Sequence, residues 1–125
     1  MTHPVAKLID TIIDGTVNFE TLSRDLQNLG TESIALDLLS SRHWIYMKDG
    51  SCHEHLLGTK CPPVNSKFSK EKILEALDAF DKQESSAVAF FSALAAAGVC
   101  YARCNYSRNQ AIYLGRSMEF HLEEW

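Results

Sequence analysis

The fold is decided by residues 86–106, which read SAVAFFSALAAAGVCYARCNY. Nearly every position from 87 to 97 is apolar, so a helix formed here has no polar face and needs cover on most of its sides. Gly98 follows, and glycine most readily takes the left-handed conformation that ends a helix. The pattern then alternates, which places Cys100, Ala102, Cys104 and Tyr106 on one side of a strand and Tyr101, Arg103 and Asn105 on the other. We therefore expect a buried helix, the most buried element of the protein, that leads directly into a half-buried strand.

The composition limits the class of protein. With 125 residues, of which 46% are hydrophobic, the chain has the size of one globular domain, residues 1–125. No apolar run is long enough to cross a bilayer, and the opening residues MTHPVAKLID do not read as a signal peptide, so we expect a cytoplasmic protein with no membrane contact. A net charge of −4 makes nucleic acid an unpromising partner. The four cysteines lack the paired short spacings of a zinc ribbon, and we expect reduced thiols.

The order of predicted elements is helix, helix, strand, strand, strand, and it occurs twice. In the first copy the helices cover residues 4–15 and the stretch from the cap Asn18 to Gly30, and the strands cover residues 31–39, 42–47 and 52–57 around an Asp49-Gly50 turn. A connector spans residues 58–68. In the second copy a helix starts after the cap Ser69, the buried helix and its strand follow, and two strands cover residues 109–114 and 118–125.

The two copies can be aligned by their glycines. Gly98 lies 68 residues after Gly30, and the same offset pairs Leu22 with Phe90, Leu26 with Leu94 and His53 with His121. The Ile45-Tyr46 pair meets Ile112-Tyr113 one residue out of step. The sequence therefore predicts an internal duplication: an α+β domain of two α-α-β-β-β halves, residues 1–57 and 69–125, with helices on one side of antiparallel strands.

The doubled pattern resembles a known family. The Gly-ended helix, the hairpin with Ile-Tyr, and Glu119-Phe120-His121 within IYLGRSMEFHLEE are similar to the YdfO/YbcV-like proteins, small bacterial proteins associated with prophages. The first copy departs from this pattern because its turn, Asp49-Gly50-Ser51-Cys52-His53, reads as shorter and has no Glu before the aromatic position. The resemblance implies an α+β fold of two related halves, and it implies no activity.

Few residues suggest chemistry. The densest polar cluster is Cys52-His53-Glu54-His55, where His53 and His55 would share one face of a strand, although no zinc-ligand spacing is matched and an exposed hairpin edge explains the same residues. The offset also pairs His53 with His121, so the metal-site candidates are His53, His55 and His121. Cys100 and Cys104 face an apolar helix and are expected to be structural, and no catalytic residue or cofactor is predicted.

Two classes of function remain. We expect a non-enzymatic binding or regulatory module, acting in phage–host biology through an unidentified protein partner, because a compact repeat with exposed sheet edges suits protein contact. The alternative is a small-molecule or metal-binding protein, or an enzyme, that uses the His-bearing hairpins. For assembly, the two halves could pair and hide their strand edges within a monomer, or two chains could form a weak homodimer.

Overall fold

Three helices and one six-stranded sheet make up the part of the chain that the computed structural model describes, namely residues 19–57, 60–82 and 84–125, together with Lys7. The elements in chain order are α1 (Phe19–Asn28), β1 (Thr31–Asp37), β2 (Arg42–Met47), β3 (Cys52–Leu56), α2 (Lys70–Asp81), α3 (Ala87–Ala96), β4 (Val99–Asn105), β5 (Gln110–Gly115) and β6 (Phe120–Glu124). The predicted helix at residues 4–15 and the predicted cap Asn18 lie outside the described residues, apart from Lys7. The α+β class is confirmed.

The six strands form a single antiparallel sheet in the order β3-β2-β1-β4-β5-β6. Each run of three consecutive strands is a meander, and the two meanders meet where β1 pairs with β4. Ala35 lies opposite Arg103 at the middle of this central ladder. The halves of the chain therefore form one continuous sheet.

Local sequence signals start and stop the helices, and the predicted cap Ser69 is confirmed. The Ser69 hydroxyl accepts a hydrogen bond from the Lys72 N–H at 3.2 Å, and the Ser86 hydroxyl accepts one from the Ala89 N–H at 3.1 Å. Gly98 ends α3 with a φ of +88°, and a Cβ atom there would lie 2.3 Å from the Lys67 carbonyl oxygen. Only glycine fits this position, because it needs both a left-handed backbone and the absence of a side chain.

The core lies between one face of the sheet and the described helices. Around α3, Phe90 and Leu94 pack with Leu36 and Val99, and Leu94 and Val99 are fully buried. Around α1, the core residues are Leu22, Leu26, Ile34, Ile45, Met47, Ala87 and Tyr106. We call this side of the sheet the helix face and the opposite side the open face. The prediction that the helices pack on one side of the strands is confirmed for the described helices.

The most buried element is β1 and not α3, so that prediction was wrong. Five of the seven β1 residues are buried, namely Thr31, Ser33, Ile34, Ala35 and Leu36. Four of the ten residues of α3 are buried, and Val88 is 43% exposed. A central strand has a neighbour on each side, whereas a helix above a sheet keeps one side toward solvent, and α3 fills much of that side with alanine.

The elements of the two halves recur at one constant spacing. Each of α1, β1, β2 and β3 begins and ends 68 residues before α3, β4, β5 and β6, respectively. Positive φ angles follow the same spacing, at Gly30 and Gly98, at Ser41 and Asn109, and at Gly50 and Met118. So do the register irregularities, which lie between residues 31 and 33 in β1 and between residues 99 and 101 in β4.

Two details of the sequence alignment between the halves were wrong. Ile45 corresponds to Tyr113, because β2 and β5 are related by 68 residues without a one-residue step. The β2–β3 turn is not shorter than its counterpart, since residues 48–51 and residues 116–119 are both four-residue connections. The Ile-Tyr pairs at residues 45–46 and 112–113 have the same sequence but occupy different positions along their strands. Aligning these two pairs therefore gave the wrong correspondence between β2 and β5.

The two outer strands are β3 and β6. The halves do pair with each other, as one of the two predicted outcomes required, but they pair through β1 and β4. The expectation that this pairing would hide the edge of the last strand was wrong, because β6 pairs with β5 alone among the described strands.

Candidate functional site: the open face of the sheet

Three rows of side chains cross the open face, and none of the three described helices lies on it. The strand registers define these rows. From β3 to β6 they are Leu56, Arg42, Asp37, Tyr101, Leu114 and Phe120; Glu54, Trp44, Ala35, Arg103, Ile112 and Leu122; and Cys52, Tyr46, Ser33, Asn105, Gln110 and Glu124. The face therefore presents aromatic, aliphatic and charged groups side by side.

Arg103 organises the centre of the open face. Its Nε and Nη2 atoms donate hydrogen bonds to the Ser33 hydroxyl at 3.2 and 3.1 Å. Its guanidinium carbon lies 4.2 Å from the centroid of the Tyr46 ring, a cation–π contact. Ser33 and Ala35 beneath it are fully buried. The small side chains of Ser33 and Ala35 on β1 thus leave space for the Arg103 side chain, which is held by Ser33 and Tyr46 and covers the β1–β4 ladder.

The Tyr46 side chain beside Arg103 is neutral near pH 7. Burial raises the pKa of the Tyr46 phenol, and the nearby Tyr101 phenol raises it further through its charge and a hydrogen bond. The positive charge of Arg103 acts in the opposite direction and is outweighed. The Tyr46 side chain therefore contributes an uncharged ring and hydroxyl to this surface.

The β4–β6 side of the open face is apolar. Ile112 lies between Arg103 and Leu122 in the middle row, and Leu114 lies between Tyr101 and Phe120 in the first row. Phe120 is 65% exposed and Leu122 is 45% exposed. We call Tyr101, Ile112, Leu114, Phe120 and Leu122 the apolar patch.

The charged groups of the open face are largely occupied by neighbours within it. The Arg42 Nη1 atom lies 3.0 Å from the Glu54 Oε2 atom, and the Asp37 carboxylate accepts hydrogen bonds from the N–H groups of residues 39 and 40. The Gln110 side chain donates to the Glu124 carboxylate at 3.2 Å. What the face offers to another molecule is therefore mainly its rings and aliphatic groups.

The predicted histidines lie on the helix face, at opposite edges of the sheet. His53 and His55 belong to β3, and His121 belongs to β6. Five strand spacings of about 4.8 Å separate these strands, which is about 24 Å. The fold does not bring His53 and His121 together, and the described residues contain no group of three or more His, Cys, Asp or Glu side chains that could hold a metal ion.

His55 instead lies opposite His43, a residue that the sequence did not single out. The two ring centroids are 5.9 Å apart, and the Phe91 ring meets His43 edge-on at 5.5 Å. Burial lowers the pKa of His43 to about 3, and the neighbouring His55 contributes to this shift. His43 is 5% exposed and acts as a neutral core residue. The sequence alone does not show that His43 faces the apolar helix α3. The strand register is needed to place its side chain on the helix face.

His121 belongs to a polar cluster at the other edge. Its Nε2 atom lies 3.3 Å from the Glu123 Oε2 atom, and its ring stacks near Tyr113 with centroids 6.3 Å apart. Burial raises the pKa of Tyr113, and the Glu123 carboxylate raises it further. Burial also raises the pKa of Asp81 at the end of α2, with contributions from Glu123 and Asp78. The sequence pointed to His121 but missed Tyr113, Glu123 and Asp81, which the β5–β6 register and α2 bring to it.

The cysteines are free thiols. Burial raises the pKa of Cys104 to about 12, and it raises the pKa of Cys100 as well. Both thiols remain protonated near neutral pH and are poor nucleophiles, because the thiolate is the reactive form. The structural role predicted for this pair is consistent with their packing against the α3 core.

Known proteins add no further assignment. The chain matches no protein-family model, and no curated protein sequence matches it. Among the described helices, none combines the length and the apolar character that spanning a bilayer requires.

Proposed function

We propose that the protein is a non-enzymatic binding module whose binding surface is the open face of the sheet. The observation that carries this proposal is the apolar patch, which lies on a face that no described helix covers and which includes the exposed Phe120 and Leu122 side chains. Exposed apolar surface that is contiguous and rimmed by polar groups marks interaction sites more often than scattered single residues do. The rim here consists of Asp37, Arg103, Gln110 and Glu124.

The partner that this face suits is another protein with an apolar surface. Three rows across six strands give a face of a size comparable to one side of a standard protein–protein interface, which has about 20–30 residues per partner. Nucleic acid is a poorer match, because single-strand binding needs a positively charged groove. Arg42 and Arg103 are the basic residues of the three rows, and both already contact neighbours within them.

Site-specific photo-crosslinking in the cells that produce the protein tests this proposal. A photoreactive residue in place of Leu114, in the apolar patch, should yield one discrete protein adduct. The matched control replaces Leu74, a leucine of α2 that is 43% exposed on the opposite side of the molecule. The adduct at position 114 should disappear when Ile112→Arg introduces a charge beside it. Adducts of equal yield from both positions, or none from position 114, would contradict the proposal.

We also propose that the two halves arose by duplication of one α-α-β-β-β unit. The constant spacing of 68 residues supports this for elements, positive φ angles and register irregularities together. A duplicated unit is also what the resemblance to the YdfO/YbcV-like proteins implies. The prophage association and a role in phage–host biology are part of this proposal, as is a cytoplasmic location.

One observation favours the alternative of a small-molecule or metal-binding protein. His121 belongs to a cluster with Tyr113, Glu123 and Asp81, so one of the three predicted histidines lies near other polar side chains on the helix face. Metal analysis of protein purified without a His tag tests this alternative. Stoichiometric zinc that is lost in a His53→Ala/His55→Ala variant would support the β3 histidines, and zinc lost in His121→Ala would support the cluster on β6.

A further inference from the structure

The outer edge of β6 carries backbone groups that no described strand satisfies. The Gly115 N–H donates to the Glu119 carbonyl and the Trp125 N–H donates to the Asn109 carbonyl, so the backbone of residues 119 and 125 points toward β5. Because these directions alternate along a strand, the N–H and C=O groups of Phe120, Leu122 and Glu124 point away from β5. No proline interrupts this edge.

We propose that two copies of this chain associate through β6, with the two β6 strands antiparallel and Leu122 on the two-fold axis. In this register Leu122 meets Leu122 of the second copy, and Phe120 meets Glu124 of the second copy. All three residues direct their backbone groups outward, so the pairs exchange hydrogen bonds. The product is a twelve-stranded sheet with a single open face.

Charge selects this register. It places His121 opposite the second copy's Glu123, on the helix face, twice over by symmetry. An imidazole opposite a carboxylate can donate a hydrogen bond to it across the strand pair, whereas like charges directly opposite are unfavourable. A two-residue slip that centres the pair on Glu123 would oppose two Glu123 carboxylates. A slip that centres it on His121 would oppose Glu119 and Glu123 twice.

The equivalent edge strand at the other end of the sheet lacks this complementarity. The residue of β3 that corresponds to Leu122 is Glu54, 68 residues earlier. Two-fold pairing centred there would oppose two Glu54 carboxylates, each of which is 3.0 Å from Arg42 in its own chain. The neighbouring registers would oppose His53 to itself or His55 to itself. Self-pairing through β3 is therefore disfavoured by like charge in the register equivalent to that of β6, and its neighbouring registers offer no imidazole–carboxylate pair.

The joined edge would also bury apolar surface. Phe120 and Leu122 are exposed members of the apolar patch, and the two-fold axis would bring both copies of them together. Trp125 is 59% exposed and would lie opposite the second copy's Glu119. A five-residue edge buries less than the roughly 800 Å² per partner of a standard interface, so the association is expected to be weak. This association does not depend on the binding proposed for the open face.

Sedimentation velocity over a concentration series tests the proposal. The wild-type chain should move from its monomer mass of 14.0 kDa toward twice that mass as its concentration rises to about 100 µM, the range expected for a small interface. Leu122→Pro should weaken self-association at least tenfold. The Leu122 N–H points away from β5, so proline removes no hydrogen bond from the β5–β6 ladder. Circular dichroism should show an unchanged fold, and Leu122→Lys provides a second edge variant if the proline variant does not fold.

Glu54→Pro is the matched control, because it makes the same change at the equivalent position of β3. It should leave self-association unchanged. If Glu54→Pro and Leu122→Pro weaken association equally, the chains pair β3 to β6 in an open series and the proposal is wrong. A wild-type chain that stays monomeric throughout the series also overturns it.

Disulfide trapping tests the register itself. In a Cys52→Ser background, which removes the exposed native thiol, Leu122→Cys should form a covalent dimer under mild oxidation. The expected Cα–Cα distance of about 5.5 Å for a hydrogen-bonded pair lies within the range that a disulfide spans. Glu54→Cys in the same background should give no covalent dimer. Trapping at position 54 with none at position 122 would contradict the proposal.

Discussion

The two halves of the molecule have the same backbone plan and different side chains. Position 43 is a buried histidine in the first half and position 111 is a buried alanine in the second. On the open face, Tyr46 in the first half corresponds to Leu114 in the second, and Glu54 corresponds to Leu122. The comparison teaches that turns, caps and strand spacings are held in common, while the surface chemistry differs. The exposed apolar groups of the open face are concentrated in the second half.

The largest expected effect concerns a pair of equivalent core leucines. Leu26 on α1 and Leu94 on α3 are both fully buried. Replacing either by alanine should lower the free energy of unfolding by about 2–5 kcal/mol, because the change removes buried methyl groups and leaves a cavity. Urea denaturation of the two variants measures this, with the exposed Leu74→Ala as a control of small effect. A loss well below 1 kcal/mol at Leu94 would mean that α3 does not face the core.

The next prediction concerns a residue that breaks the equivalence of the halves. The pKa of His43 is about 3 in the folded chain and 6.5 in the reference state. Between these two pH values the unfolded chain binds a proton at His43 and the folded chain does not. The free energy of unfolding should therefore fall as the pH drops below 6.5, by about 3 kcal/mol from this residue at pH 4. His43→Leu should remove that part of the pH dependence. Denaturation curves of both proteins between pH 7 and pH 4 would contradict the idea if their slopes against pH were equal.

A third prediction separates the two helix-ending glycines. Gly30 and Gly98 have φ angles of +91° and +88°, but an added Cβ would be 3.9 Å from the Met47 side chain at Gly30 and 2.3 Å from the Lys67 backbone at Gly98. Gly30→Ala should cost about 1–2 kcal/mol for the left-handed backbone alone. Gly98→Ala adds a clash with backbone and should cost about 2–4 kcal/mol in total. Thermal unfolding of the two variants should rank them in that order, and equal melting temperatures would argue against the close approach.

The smallest effect is expected at the second hairpin turn. Met118 has a φ of +70°, and its counterpart Gly50 has a φ of +88°. Met118 is 74% exposed, so its side chain contributes little packing. Met118→Gly should stabilise the chain by about 0.5–1 kcal/mol, because glycine relieves the strain at the expense of a more disordered unfolded state. A lower unfolding midpoint in this variant would show that the Met118 side chain packs after all.

Much of the local structure could be predicted from the sequence. The strand at residues 42–47 was predicted with both of its ends, and Ser69 caps its helix as predicted. These features depend on neighbouring residues: alternation indicates a strand, and a serine before an apolar run indicates a helix start. Gly98 was predicted for the same reason, since a left-handed helix end favours glycine whatever surrounds it.

The candidate site could be predicted only in part, because it depends on which strands are neighbours. Alternation tells which side chains share a face, but it does not tell that β1 lies beside β4. Without that order, His53 and His121 looked like a pair, and His43 looked like an ordinary strand residue. The apolar patch was missed for the same reason, since Ile112, Phe120 and Tyr101 become neighbours only through the registers of three strands.

The central β1–β4 ladder has a consequence for how the chain folds. Its paired residues lie 64 to 72 positions apart in sequence, whereas each three-stranded meander pairs residues that are close in sequence. Closing a loop of that length costs about 2 kcal/mol more than closing a hairpin of a few residues. During synthesis β1 must therefore wait, with one side unpaired, until β4 has left the ribosome. When β4 emerges, the still unpaired β1 of a neighbouring chain competes with β1 of its own chain for it, so slow closure of this ladder favours domain-swapped dimers over correctly closed monomers.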